Sequence, residues 1–261
     1  MDLKISGRVA LVLGAGGGLG SAISRQLAQE GVSVALADVD EQALAATAAS
    51  IEEDGGRCIT HCWELGDRAA ADRHVSQIEQ QFGPVDILVN NTGGPPPSEA
   101  SGVDPEVWAK QFNAMVLSVI AITDRILPGM RARKWGRVIT SSSSGIIAPI
   151  PNLAMSNALR MSLVGWSKSL AREVAADNVT VNVILPGRIA TSRIRYLDVM
   201  KAERQNRPLD AVISESVASI PMARYGTPAE YADVVTFLAS ERASYMTGSI
   251  VRVDGGYLQS V

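Results

Sequence analysis

The sequence predicts a single α/β domain in which a parallel sheet of seven strands is doubly wound, with helices on both faces. Three observations carry that expectation. Short aliphatic runs alternate along the 261 residues with longer stretches of helical periodicity. The runs are apolar throughout rather than alternately polar, as strands covered on both faces require. The first run also ends in a glycine-rich turn that opens a helix.

The elements follow in order. Arg8 to Leu13 is an aliphatic run closed by glycine, and the pattern behind it places Leu19, Ile23 and Leu27 on one helical face. Ser33 to Ala37 is the second strand, before an Ala-rich helix from Glu41 to Glu53. Arg57 to Cys62 and Ala69 to Phe82 repeat the rhythm, and Asp86 to Asn90 is the fourth strand. The amphipathic stretch from Asp104 to Arg133 is expected as one long helix before the strand Arg137 to Ser141. A second long helix, Leu153 to Ala175, precedes Val179 to Leu185, and Pro228 to Ala239 precedes the last strand, Ile250 to Val253. No repeat or low-complexity segment interrupts the series.

Composition sets the bounds. A chain of 261 residues can bury a sizeable core as one domain. The net charge of −3 offers no long-range positive field for nucleic acid or a membrane surface. No apolar run approaches the roughly 20 residues of a membrane span, and no secretory leader opens the chain, so a cytoplasmic protein is expected. Cys58 and Cys62 share one face of a strand and are expected to be buried reduced thiols. No metal site is expected, because no further Cys accompanies them and the two His lack ligand spacing.

Ligands of a doubly wound sheet sit beyond the carboxyl ends of its strands, which directs attention to the residues after each run. The turn Gly14-Ala15-Gly16-Gly17-Gly18-Leu19-Gly20 lets backbone approach a pyrophosphate, held by the free N–H groups and dipole of the next helix. A plain tight turn is the alternative. Asp38 closes the second strand, where a carboxylate accepts from a ribose 2′-OH and repels a 2′-phosphate. Its alternative role is to cap the following helix, for which Asp40 competes. The cofactor implied is NAD, with NADH preferred over NADPH.

Those glycines, together with Asn90-Asn91-Thr92-Gly93, Pro186-Gly187 with Thr191, and Gly165-Trp166-Ser167-Lys168-Ser169-Leu170-Ala171, resemble the short-chain dehydrogenase/reductase family from about Gly7 to Gly256. The resemblance implies a Rossmann-type oxidoreductase acting on a small carbonyl or alcohol. It implies cofactor contacts at Gly14, Gly18, Leu19, Gly20, Asp38, Glu64, Leu65, Asn91, Gly93, Pro186, Gly187, Ile189 and Thr191. Glu64 stands where relatives usually have Asp, and Asp67 is expected to cap the next helix. The family's catalytic serine falls on Ser143, with Ser142 as the alternative, in a run that also reads as a solvated loop. Asn113 matches the helix asparagine that organises a relay water. A homotetramer is the expected assembly, a dimer the second choice.

The family's Tyr-x-x-x-Lys pair is absent. Its slots hold Ser156 and Arg160, four apart and therefore on one helix face. A Tyr has an ordinary pKa of about 10, lowered by the neighbouring Lys, and each unit of mismatch is worth about 1.4 kcal/mol. Serine is a far weaker acid. Arg160 keeps its charge and a rigid fork of donors, suited to ribose hydroxyls or an oxyanion but not to carrying a proton. Tyr196 is the one tyrosine placed to substitute. Three readings stand: an NAD-dependent oxidoreductase with water relaying the proton, a cofactor-binding protein without turnover, and a non-redox lyase, isomerase or dehydratase.

The segment after Pro186, residues 188–220, would shape the substrate end. It carries Arg188, Arg193, Arg195, Lys201, Arg204 and Arg207 against Asp198 and Glu203. That excess is either a site that gathers an anionic substrate or a solvated helical lid. The role of Pro95-Pro96-Pro97 is open beyond the stiffness it gives its loop.

Overall fold

Strands β1 (Val9–Leu13), β2 (Ser33–Asp38), β3 (Arg57–Cys62), β4 (Ile87–Asn90), β5 (Gly136–Ser141), β6 (Val179–Pro186) and β7 (Ile250–Val253) are all parallel and pair in the order β3-β2-β1-β4-β5-β6-β7. The computed structural model describes residues 1–67 and 69–260. Order reverses between β1 and β4, whose successors lie on opposite sides. That is the point at which a doubly wound sheet opens a crevice.

Helices α1 (Gly18–Gln29), α2 (Glu41–Glu53) and α3 (Ala69–Phe82) follow the first three strands. Ile23 and Leu27 of α1 pack with Val12, Val34 and Leu36 in one core. The helix α9 (Pro228–Leu238) adds Tyr231, Val235 and Leu238 to it. On the other face Leu11, Leu13, Leu88 and Val138 meet Val75 and Ile78 of α3. Complete burial of such aliphatic side chains contributes about 1.5–3 kcal/mol each, which is why apolar strand runs sort inside. Thr227 and Glu230 form a capping box at α9 with Pro228 in the first turn, so its start is written locally.

Three expectations are corrected. The stretch expected as one regular helix is α4 (Pro105–Phe112), a π-helical segment Asn113–Leu117, and α5 (Ser118–Ala132). A π segment inserts one residue into the turn and re-aims side chains, commonly beside a functional site. The same continuous helix, Pro105–Ala132, has the length and composition to cross a membrane, contrary to the reading of the apolar runs. Here its residues Val119, Ile122 and Ile126 are buried against the fold. Cys58 is half-buried and Cys62 exposed, because β3 is an edge strand and only His61 of its six residues is buried. Both thiols are free.

The two histidines, distant in sequence, meet between β3 and α3. His61 Nδ1 and His74 Nδ1 lie 3.3 Å apart, and the His74 ring stacks on buried Trp63 at 4.9 Å. Among the described residues no third ligand completes a metal site. Burial lowers both pKa values, His61 further through His74, and His74 further through Arg73 against the opposing pull of Asp67. The unfolded chain therefore takes up protons first as pH falls below about 6.5, and the stability these residues contribute above that pH is lost. The urea midpoint is expected to fall between pH 7.5 and 5.5, and less so in His74→Gln. An equal fall in the variant would remove the pair as the cause.

Candidate active site

At the β1–β4 divide the backbone is packed to its limit. Gly14 has φ +64°, and a Cβ there would lie 2.4 Å from the Asn91 carbonyl oxygen. A Cβ on Gly20 would stand 1.9 Å from the Gly14 carbonyl oxygen. Asn91 Nδ2 donates to that same oxygen at 3.3 Å, while Asn90 Nδ2 reaches Thr123 and Thr140 Oγ1 at 3.5 Å. Gly17 precedes α1 in extended backbone with no side-chain cap, so the first-turn N–H groups remain available to an anion. Thr191, the cap of helix α7 (Ser192–Gln205), faces this turn: a Cβ on Gly18 would lie 3.6 Å from its methyl group.

The crevice opens into a cavity of about 710 Å³. Its wall contains every expected cofactor residue except Gly20, which instead packs beneath the turn. Asp38 stands at one end with Oδ2 accepting from Gly16 N–H at 2.9 Å and Oδ1 from Val39 N–H at 2.7 Å. Asp40, not Asp38, caps α2 through Ala43 N–H at 3.0 Å. Glu64 and Leu65 line the same end beside Trp63, and Asp67 accepts from Ala70 N–H at 3.2 Å. Glycine cradle, free helix terminus and carboxylate together fit a dinucleotide.

At the other end the cavity brings Ser143, Ser156 and Arg160 together. Helix α6 (Ala154–Val174) carries the last two on its buried face. Ser143 Oγ accepts from Gly145 N–H at 3.1 Å, which leaves its own proton free to donate. Ser142 also reaches the wall, but its buried Oγ has no partner among the described residues. Asn113 lies outside the wall; its Nδ2 holds the Gly66 carbonyl at 3.2 Å, and Gly66 is in the wall.

Arg160 differs most from expectation. Its guanidinium donates to the Ser141 carbonyl at 3.1 Å, Thr92 at 3.2 Å and Gly93 at 3.3 Å. It therefore clamps the ends of β4 and β5 instead of presenting its whole fork to a ribose. Burial pulls its pKa down to about 10, opposed by Tyr231 and reinforced by Arg193, so it stays cationic at neutral pH.

No tyrosine takes the missing slot. Tyr196 is 42% exposed and outside the cavity wall, with Arg193 over its ring at 5.5 Å. Outside the wall, it does not serve as the substitute. Tyr231 is fully buried, 2.9 Å from Ser141 Oγ, and burial drives its pKa upward. Tyr257 is the phenol in the wall.

Sequence reading missed several contributors. Asn157 braces the cavity rim, donating to the Ile150 carbonyl at 3.0 Å, and its Oδ1 would stand 2.3 Å from a Cβ on Gly145. Gln111, Asn152 and Tyr257 also enter the wall with no local pattern to announce them. The Pro95–Pro97 loop has a structural part: Pro95 offers its carbonyl to Arg193 at 2.8 Å, and the chain then pairs Ser98 with Leu153 at the start of α6.

Known proteins resemble this chain in sequence and fold. The family described as Enoyl-(Acyl carrier protein) reductase matches residues 14–258. Nodulation protein G of Azospirillum brasilense is 35% identical over 97% of this chain and 98% of its own. The 3-oxoacyl-acyl-carrier-protein reductase FabG of Escherichia coli is 32% identical over 97% and 98%. L-sorbose reductase from Gluconobacter frateurii, solved with NADPH and L-sorbose, superposes with a TM-score of 0.94 at 31% identity over all of both chains. An NAD+-bound xylitol dehydrogenase gives 0.90 at 26% identity over 97% of this chain and 100% of its own. With these relatives aligned along nearly its whole length, the chain belongs to the short-chain dehydrogenase/reductase family of oxidoreductases.

Proposed function

We propose that the protein is an NAD(H)-dependent oxidoreductase interconverting a secondary alcohol and a ketone through a serine and arginine site. The observation that carries this reading is the single cavity in which Ser143 and Ser156 share a wall with the glycine turn and Asp38. Relatives bind NADPH or NAD+, which supports a nicotinamide cofactor. Asp38 favours NAD, since a 2′-phosphate would meet a carboxylate already fixed by the Gly16 and Val39 N–H groups.

The cofactor would supply a hydride at nicotinamide C4. The protein's part is to hold the substrate oxygen and favour negative charge on it. Ser143 Oγ–H, oriented by the Gly145 amide, and Ser156 Oγ–H donate to that oxygen. The buried Arg160 charge lies in the same wall and stabilises an oxyanion more than it would in water. Neither serine is acidic enough to deliver the proton, Tyr231 is pushed further from neutrality, and we assign the delivery to solvent.

A second reading, cofactor binding without turnover, draws on the engagement of Arg160 with three backbone carbonyls, a bracing role that needs no reaction. Tight NADH binding with no oxidation across a ketone panel would favour it.

Calorimetric titration is expected to give at least about tenfold tighter binding of NADH than of NADPH, a preference that Asp38→Ala removes. Equal affinities in the unaltered protein would end the NAD assignment. Ser143→Ala is expected to lower kcat by about a hundredfold or more, the usual cost of one oxyanion donor; unchanged turnover would move the role to Ser142 or away from this loop. Ser156→Tyr with Arg160→Lys is expected to create or raise carbonyl reductase activity, and a folded double variant without gain would contradict the slot assignment.

A further inference from the structure

The cavity wall is divided by charge. Its carboxylates at the adenosine end are Asp38 and Glu64. At the substrate end the third, Asp198, is already engaged by Arg188 and by the Tyr225 hydroxyl at 2.8 Å. Of the cations after Pro186, Lys201 and Arg207 share Glu215, at 2.9 and 2.5 Å, while Arg195 and Arg204 are exposed to solvent. Arg193 is different. Among the described residues it has no carboxylate within 4.0 Å; its Nη2 donates to the Pro95 carbonyl, and it is half-buried in the wall.

Arg160 is a buried cation of the same wall, held by three backbone carbonyls and by no carboxylate among the described residues. The two guanidinium groups converge over Gly94, where a Cβ would lie 3.1 Å from Arg193 Nη2 and 3.7 Å from Arg160 Nη2. Two like charges withdrawn from water and close together are costly unless an anion lies between or beside them. The facing loop cannot supply one. Its prolines present carbonyl acceptors without N–H donors, which suits a guanidinium and fixes its direction. The pyrophosphate of a dinucleotide has its own seat, the glycine turn and the α1 terminus at the β1–β4 divide.

We infer that the substrate is a ketone or secondary alcohol bearing a carboxylate, and that Arg193 anchors this carboxylate while Ser143 and Ser156 hold the reacting oxygen. This rests on the oxidoreductase reading above. Reduction would place a hydride from the dihydronicotinamide on the carbonyl carbon and a solvent proton on its oxygen, giving a hydroxy acid and NAD+ with the carboxylate unchanged. Arg193 is then a specificity-determining residue, one whose planar fork matches a carboxylate edge.

The test is calorimetric titration of the NADH-loaded protein with 2-oxobutanoate, acetoacetate and levulinate, each against its primary amide, followed by nicotinamide absorbance. At least one acid is expected to bind about tenfold or more tightly than its amide, as loss of a charge-assisted hydrogen bond implies. Arg193→Met is expected to erase that preference with NADH affinity within about twofold of the unaltered protein, and Arg193→Lys to retain part of it. Acids and amides binding alike, or none binding, would overturn the carboxylate inference, whatever becomes of the variants. NADH oxidation by an amide but not its acid would overturn it while leaving the oxidoreductase reading intact. Tight acid binding with no NADH oxidation would support the anchor and sink the redox reading. Weakened NADH with an unchanged preference for acids in Arg193→Met would assign the guanidinium to the cofactor and overturn the inference.

Discussion

The close backbone approach at the β1–β4 divide governs this molecule. The Gly14 carbonyl is touched from one side by the α1 backbone at Gly20 and from the other by the Asn91 amide. A Cβ at Gly14 would stand 2.4 Å from the Asn91 oxygen and one at Gly20 1.9 Å from the Gly14 oxygen, so either would force these segments apart. The same contact that closes the core therefore opens the crevice. It also leaves the α1 amides uncapped by any side chain, available to the ligand. Structural and binding roles of the glycine turn are one geometric fact.

From that divide the site extends along the carboxyl ends of the strands, and its chemistry changes along the way. At the β2 end stands a carboxylate, Asp38, fixed by the Gly16 and Val39 amide donors. The opposite end is built from serine hydroxyls and two guanidinium groups, Arg160 buried and Arg193 half-buried. A cation in a dry wall exerts a larger field than one in water, so Arg160 and Arg193 dominate the potential there even though the chain as a whole is acidic. Net charge and local charge point in opposite directions.

Replacement of a Tyr and Lys pair by Ser156 and Arg160 changes more than acidity. A lysine ammonium is a point donor on a flexible stem, whereas a guanidinium is a plate whose N–H groups diverge. In this cavity the plate spans the ends of β4 and β5, which makes Arg160 a brace as well as a charge. The phenol nearest in kind, Tyr231, is enclosed behind β5 and bonded to Ser141, where burial opposes its ionisation.

The sequence by itself determined the seven-strand parallel fold, because apolar strand runs and 3.6-residue helical periodicity are local signals that burial then enforces. Element ends fell within a residue or so of their expected places where a cap is written locally, as at Asp40 and Thr227. Sequence motifs also placed Gly14, Asp38, Asn91, Ser143, Ser156, Thr191 and their neighbours in one cavity wall. Only the tertiary structure decided the rest. Exposure of Cys62 follows from β3 lying at the sheet edge, and the His61–His74 contact joins residues on two elements whose faces no spacing rule relates. The π segment at Asn113 is an insertion in helical phase that periodicity averages away. Where the Arg160 fork is spent, which cations after Pro186 are already paired, and what the triple proline faces all depend on atoms brought together from distant parts of the chain. Periodicity reports which way a side chain points, and only packing reports what it meets.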